Sequence, residues 1–228
     1  MSNVLQIKKK IKKFNKKIKV SGDKSLSIRW VLLASQSTGK SKAYNLLMSE
    51  DVVAAIDCIK KLGVKVKIQK NFCEIFGNGL GGFKYKKGLT LNARNSGTLG
   101  RLVLGLLASS PKKIKLIGDK SLSKRDFSRV TIPLQKFGAK FYYRIKNKLP
   151  LTILGSKSTK DIKYLENKGS AQCKSAIMLA ALNSLGTTSI KAKKSRNHTE
   201  LLFKYLRVPI KIKSTKKYDF INIKKPKK

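Results

Sequence analysis

A threefold internal repeat constrains this chain more than any other feature of its sequence. Segments beginning at Leu32, Leu106 and Ala181 share one pattern of apolar and polar residues, and their marker serines, Ser35, Ser109 and Ser184, recur at intervals of about 75 residues. Three such units fill the chain from residue 20 onward.

Each unit opens on an apolar helix: "SLSIRWVLLAS", "SGTLGRLVLGLLAS" and "AQCKSAIMLAALNS". Apolar residues occupy more than one side of each, which predicts buried helices. A short strand follows ("KAYNLL", "KIKLIG", "TSIKA"), then a second helix started by Ser with an acid or Asn close behind: Ser49 with Glu50 and Asp51, Ser123 with Asp126, Ser195 with Asn197. Val52, Ile56, Ile59 and Leu62 mark one buried face of such a helix. Each unit closes on two alternating runs around a polar turn, "VKVKIQKNFCEIFG", "KFYYRIKNKLPLTILG" and "IKIKSTKKYDFINI", which read as hairpins. The fold class is therefore α/β (α+β), a βαβαββ-like unit three times over, with residues 1–20 outside it as a strand pair or arm.

With 228 residues and 41% hydrophobic content, the chain has enough apolar mass for one large or two small domains. Its 53 basic residues against 11 acidic ones give a formal charge of +42, which favours anionic partners without naming one. Only Arg29, Arg94, Arg101, Arg125, Arg129, Arg144, Arg196 and Arg207 are arginines; the remaining basic residues are Lys scattered along the chain. Scattered Lys reads as a solvated coat rather than a nucleic-acid groove, and the few Arg carry more information because a guanidinium fixes phosphate or carboxylate in two directions. Cys58, Cys73 and Cys173 form no C-x-x-C pair, which argues against a disulfide framework or zinc site and for a reducing cytoplasm. No apolar run approaches the roughly 18 residues of a membrane span, and the N-terminus offers no signal-peptide core. No metal or cofactor motif is present.

The stretch "GDKSLSIR", Gly22 to Arg29, returns as "GDKSLSKR", Gly118 to Arg125, out of phase with the repeat. The first copy opens a first helix; the second ends a strand and opens a second helix. Helix N-termini present unpaired N–H groups and favour anions. Lys24, Ser25 and Arg29 suit such a site, but an ordinary Asp or Ser cap with exposed Lys explains the residues equally well. "NSGTLGR" (95–101) and "GSAQCKS" (169–175) open the first helices of units two and three, so three equivalent starts carry small or hydroxyl residues near Arg, Lys or Gln. That recurrence favours a shared anion site; close helix packing is the alternative.

Two motifs are decoys. "GNGLGG" (77–82) fits a dinucleotide fingerprint but is followed by "FKYKKGLTL" rather than an apolar helix, and "STGKS" (37–41) follows a helix rather than a strand. His198 stands alone without a nucleophile elbow and reads as a partly buried or capping residue.

Taken in order, "GDKSLSIR", "NLLMSEDVVAAIDCIKKLGV", "GNGLGG", "NSGTLGRL", "GDKSLSKR", "SAQCKSAIMLA" and "SRNHTE" resemble the enolpyruvyl transferases, within them the branch acting on shikimate 3-phosphate, over nearly all of residues 20–208. The resemblance implies two similar domains of three βαβαββ units each, an inside-out α/β barrel with substrates between the domains. This sequence looks like one such domain, residues 21–228 in units of about 21–88, 89–160 and 161–228, preceded by a strand segment, 1–20, that belongs to the other domain. The implied reaction adds the 5-hydroxyl of shikimate 3-phosphate to C2 of phosphoenolpyruvate and eliminates phosphate, with no cofactor.

By motif match, Lys24 contacts both substrates, and Ser25 and Arg29 serve the shikimate phosphate side. Asn95 is a substrate-binding residue, Gly97 admits close backbone approach of phosphoenolpyruvate, and Arg125 and Gln172 hold its phosphate. Ser170, Ala171, Gln172, Ser195 and Arg196 line the shikimate phosphate site. Ser21, Ile28, Gly100 and Asp126 depart from the family pattern, and Asp126 is expected to neutralise Arg125 in part. The family's acid and base residues come from the other domain, so a second half is the expected partner for turnover, with neither membrane nor nucleic acid. The rival readings are a UDP-N-acetylglucosamine enolpyruvyl transferase, whose reactive Cys has no counterpart in "GDKSLSKR", an RNA-binding protein akin to RNA 3'-phosphate cyclases, and a folded fragment without catalysis.

Overall fold

The computed structural model describes residues 6, 13, 15–70 and 72–226. Most of the 1–20 segment lies outside the described residues, and its described part, 15–20, is exposed and forms no strand.

Unit one runs α1 (Lys24–Ala34), β1 (Thr38–Tyr44), α2 (Glu50–Lys61), β2 (Lys65–Ile68) and β3 (Phe72–Asn78). Unit two runs β4 (Thr90–Asn92), α3 (Gly97–Leu107), β5 (Ile114–Ile117), α4 (Lys120–Lys124), α5 (Ser128–Lys136), β6 (Lys140–Tyr143) and β7 (Leu151–Leu154). Unit three runs β8 (Lys163–Glu166), α6 (Ala171–Ala181), β9 (Thr187–Lys193), α7 (His198–Tyr205), β10 (Ile210–Ser214) and β11 (Tyr218–Lys224).

Every unit makes its own sheet, with orders β1-β3-β2, β4-β5-β7-β6 and β8-β9-β11-β10. The last strand of each hairpin lies antiparallel to the strand that follows the first helix, in registers such as Ser41 opposite Ile75 and Ile114 opposite Ile153. β4 and β8 run parallel to β5 and β9, as crossovers through a helix require. These two leading strands, short and largely polar, give no periodic signal in the sequence. Among the described residues the corresponding edge of β1 is unpaired.

The first helices α1, α3 and α6 form the centre. Leu99, Leu102, Val103 and Leu104 of α3 and Ala176, Ile177, Met178 and Leu179 of α6 are buried, as their all-round apolar sequences dictate. α3 and α6 approach so closely that a Cβ at Gly105 would run into the Ala176 carbonyl oxygen. The repeat serines end these helices: Ser35 donates to the Leu32 carbonyl at 2.6 Å and Ser184 to that of Ala181 at 3.0 Å.

Ser49 occupies the N-cap of α2 as expected, without a side-chain cap bond, and the second helices of units two and three depart from their expected starts. In unit two Asp119 caps α4 by accepting from the Leu122 amide, Ser123 lies inside that helix, and α5 begins separately after Phe127. In unit three Asn197, not Ser195, occupies the N-cap, and its side chain makes no cap bond. "GNGLGG" leads into a turn and coil and "STGKS" runs into β1, so neither forms a nucleotide loop.

Candidate anion-binding site at three helix starts

The polarity of the central helices follows from two levels of contact. Arg101, on the second turn of α3, donates to Gln172 Oε1 at the start of α6 (3.0 Å), while Gly105, a turn further along α3, abuts Ala176, a turn further along α6. α3 and α6 are therefore parallel, with their N-termini together. α1 joins the same level through Arg29, whose Nη2 donates to Ser175 of α6 at 3.1 Å.

Each start is capped by a side chain that engages one amide: Asp23 that of Leu26 (2.7 Å), Ser96 that of Leu99 (3.3 Å) and Ser170 that of Cys173 (3.2 Å). The remaining first-turn amides and the positive ends of the helix dipoles suit an anion.

At the start of α3 the site is most sharply drawn. A Cβ built on Gly97 would stand 2.9 Å from Arg101 Nη1 and 3.1 Å from Arg125 Nη1, so two guanidiniums flank the glycine backbone. Arg125 is also steadied by Asn95 Oδ1 at 3.4 Å. Arg101 further donates to the carbonyls of Gly97 and Asp126, and its guanidinium lies 5.0 Å from the Phe127 ring centroid. Burial lowers the Arg101 pKa from its ordinary value, and the like charges of Arg125 and Arg129 add to that shift. Gln172 completes the group by donating from Nε2 to Thr98 Oγ1 at 3.1 Å. Like charges gathered around a small backbone surface favour a phosphate or carboxylate there.

The other residues singled out from the sequence lie at or near the starts of α1, α6 and α7. Lys24 is half-exposed, its Nζ 3.2 Å from Asp51. Ser25 is half-buried and its carbonyl accepts from Arg29. Ala171 is the first residue of α6. Ser195 precedes α7, with a buried hydroxyl that has no hydrogen-bond partner among the described residues, and Arg196 beside it is exposed.

Two residues have partners in the folded chain that the sequence did not show. Arg29 is 5% exposed and spends its guanidinium on Thr199 Oγ1 (2.9 Å), Ser175 Oγ and the Ser25 carbonyl, so it braces the helix starts from beneath. Burial lowers its pKa, with the charges of Glu200 and Asp23 acting in the opposite sense. Asp126 turns its carboxylate onto the Ser128 amide instead of pairing with Arg125. The Ser128 hydroxyl, and after it that amide, hold its pKa below the usual carboxylate value against the opposing effect of burial. Gly100, a further departure, faces the buried Phe127 ring, 3.4 Å from where its Cβ would stand.

Sequence reasoning placed Arg101 only as a basic residue near a helix start, with no role of its own, and missed Glu166. Arg101 was visible as the basic residue one turn beyond Gly97 in "NSGTLGR". Glu166 is 4% exposed and accepts from the Lys168 and Ser170 amides at 3.1 and 3.0 Å, which shapes the loop that delivers Ser170. An acid shortly before a cap serine was its only signal.

The family model for EPSP synthase (3-phosphoshikimate 1-carboxyvinyltransferase) matches residues 8–227. A 3-phosphoshikimate 1-carboxyvinyltransferase of Streptococcus mutans is 42% identical over 189 residues, covering 82% of this chain and 44% of the relative. One from Thermoanaerobacter is 39% identical, covering 93% of this chain and 50% of its own length. The solved EPSP synthase of Acinetobacter baumannii superposes with a TM-score of 0.83 at 31% identity, over 92% of this chain and 47% of that one. The chain thus spans about half the length of the curated relatives it matches. Over that span, by motif order, unit architecture and family match together, it belongs to the EPSP synthase family.

Proposed function

We propose that this chain supplies the phosphate-binding half of an enzyme that transfers the enolpyruvyl group of phosphoenolpyruvate to the 5-hydroxyl of shikimate 3-phosphate. The observation that carries this reading is Gly97 flanked by Arg101 and Arg125 at the start of α3, beside the starts of α1 and α6.

In this reading the phosphate of phosphoenolpyruvate lies against the Gly97 backbone, held by Arg125 and Gln172. The same groups receive it as the leaving group, so charge that develops on it during elimination meets donors already in place. The shikimate phosphate lies on the other side of α6, against Ser25, Ser170, the Ala171 amide and Ser195, with Arg196 at the rim. Lys24 stands between the two and exchanges Asp51 for substrate. Protons move between the 5-hydroxyl and the methylene carbon of phosphoenolpyruvate, and the acid and base for those steps belong to a second half, with which residues 1–20 also associate. The setting is the cytoplasm.

The thiol chemistry of the UDP-N-acetylglucosamine branch finds no support. Cys58, Cys73 and Cys173 are all buried, and burial pushes the Cys58 and Cys173 thiols up to about 12.

Phosphate release from the two substrates tests the reading. The chain alone should give none. Combined with the second half of a relative it should give turnover, and Arg125→Ala or Lys24→Ala should then lower the rate roughly a hundredfold or more. Activity within about twofold of the parent would remove these residues from the site.

A further inference from the structure

Beneath the shikimate phosphate side lies an ionic cluster that the proposed function leaves unused. Lys174 of α6 is fully buried, its Nζ 2.5 Å from Glu200 Oε1 of α7, out of hydrogen-bonding alignment, and 3.9 Å from Asp219 of β11. Asp219 in turn pairs with Lys194 at 2.9 Å and accepts from Ser214 at 2.7 Å. The neighbouring residues on the same two helices form a second rung: Ser175 and Thr199 share a hydrogen bond at 2.7 Å, and both accept from Arg29. α6 and α7 are thus clasped by consecutive polar pairs, and Arg29 carries the clasp to α1.

Stability does not account for the ionic rung. Burying an ammonium and a carboxylate costs about as much as their attraction returns, and an apolar pair of similar volume usually holds a fold as well or better. What the rung does fix is the spacing of the segments on either side of it. Ser170, Ala171 and Gln172 precede Lys174 within one turn of α6, and Ser195 and Arg196 precede Glu200 at the entry to α7.

We propose that Lys174 and Glu200 are positioning residues that set the distance between the α6 start and the Ser195–Arg196 segment, and hence the fit of one phosphate group between them. The phosphate half of this statement rests on the function proposed above. The rung acts through the two segments and touches no substrate.

The test compares the parent chain with Lys174→Met/Glu200→Leu, which removes both charges and keeps the volume. The double variant should unfold at a similar temperature. Its backbone amide resonances from Ser170 to Gln172 and at Ser195 and Arg196 should move, and its affinity for shikimate 3-phosphate should fall roughly tenfold. If those amides and that affinity stay at parent values, the pair is structural and the proposal fails. If the double variant does not fold, Glu200→Gln keeps the shape and is followed at the same amides, where movement supports the proposal and parent values overturn it. If the parent chain itself binds no shikimate 3-phosphate, the functional reading fails, and the amide shifts still decide whether the clasp sets the geometry.

Discussion

At Gly97 one added carbon separates a packing role from a binding role. A Cβ there crowds the ends of two arginine side chains and meets Leu122 Cδ1 only at ordinary contact distance, 3.7 Å, so Gly97→Ala should change stability by less than about 1 kcal/mol. It should nonetheless push both guanidiniums off the backbone surface and weaken phosphoenolpyruvate binding roughly tenfold, measured by calorimetric titration beside urea unfolding. A second residue prediction concerns acid. Burial pushes the Asp219 pKa up, but bonds from Ser214 and Lys194 and the charges of Lys194 and Lys174 outweigh that, leaving it below the ordinary 3.8. A depressed carboxylate stabilises the fold above its unfolded pKa and loses that contribution as pH falls through the folded value. Urea midpoints should therefore drop below about pH 4, and less so in Asp219→Asn. Asn95, Gly97, Arg125 and Gln172 could be singled out in the sequence because they sit in short motifs next to helix starts. The burial of Arg29 was not, since its partners Ser175 and Thr199 lie 146 and 170 positions away.

Among the elements, the two octapeptides show what short-range reading resolves. Asp23 accepts from the Leu26 amide and Asp119 from the Leu122 amide, both at 2.7 Å, so the repeated Gly-Asp-Lys-Ser-Leu is one helix-opening device used twice. Beyond that shared cap they diverge: Arg29 is buried as a brace, and Arg125 is exposed beside Gly97. Helices with all-round apolar sequence and hairpins of alternating residues announced themselves. β4 and β8 did not, because strands of three and four residues held by parallel pairing carry no period of their own. The packing of α3 on α6 yields a further prediction. Gly105→Ala drives a methyl into the Ala176 carbonyl and should cost about 1–3 kcal/mol in urea unfolding, because backbone rather than a flexible side chain stands in the way.

For the whole molecule, α3 and α6 run parallel and α1 joins their N-terminal level through Arg29, so arginine, serine and backbone amides of several units meet at helix starts. Lysine elsewhere lies along strands of separate sheets, as at Lys40 and Lys42 of β1, Lys115 of β5 and Lys211 and Lys213 of β10, all exposed. That distribution is a coat rather than a groove, and single-stranded RNA should bind weakly at about 0.15 M salt in a filter or anisotropy assay. The repeat made the unit architecture legible, whereas the convergence of its helix starts depends on packing between units that no local pattern encodes. The central claim is that this convergence binds phosphate groups. Titrating the isotope-labelled chain with shikimate 3-phosphate, followed by backbone amide shifts, tests it most directly. The account predicts saturable shifts at Ser25, Ser170, Ala171, Gln172 and Ser195 that vanish in Ser170→Ala/Lys24→Ala. Shifts spread over the lysine-rich sheet faces, or none at these five positions, would contradict it.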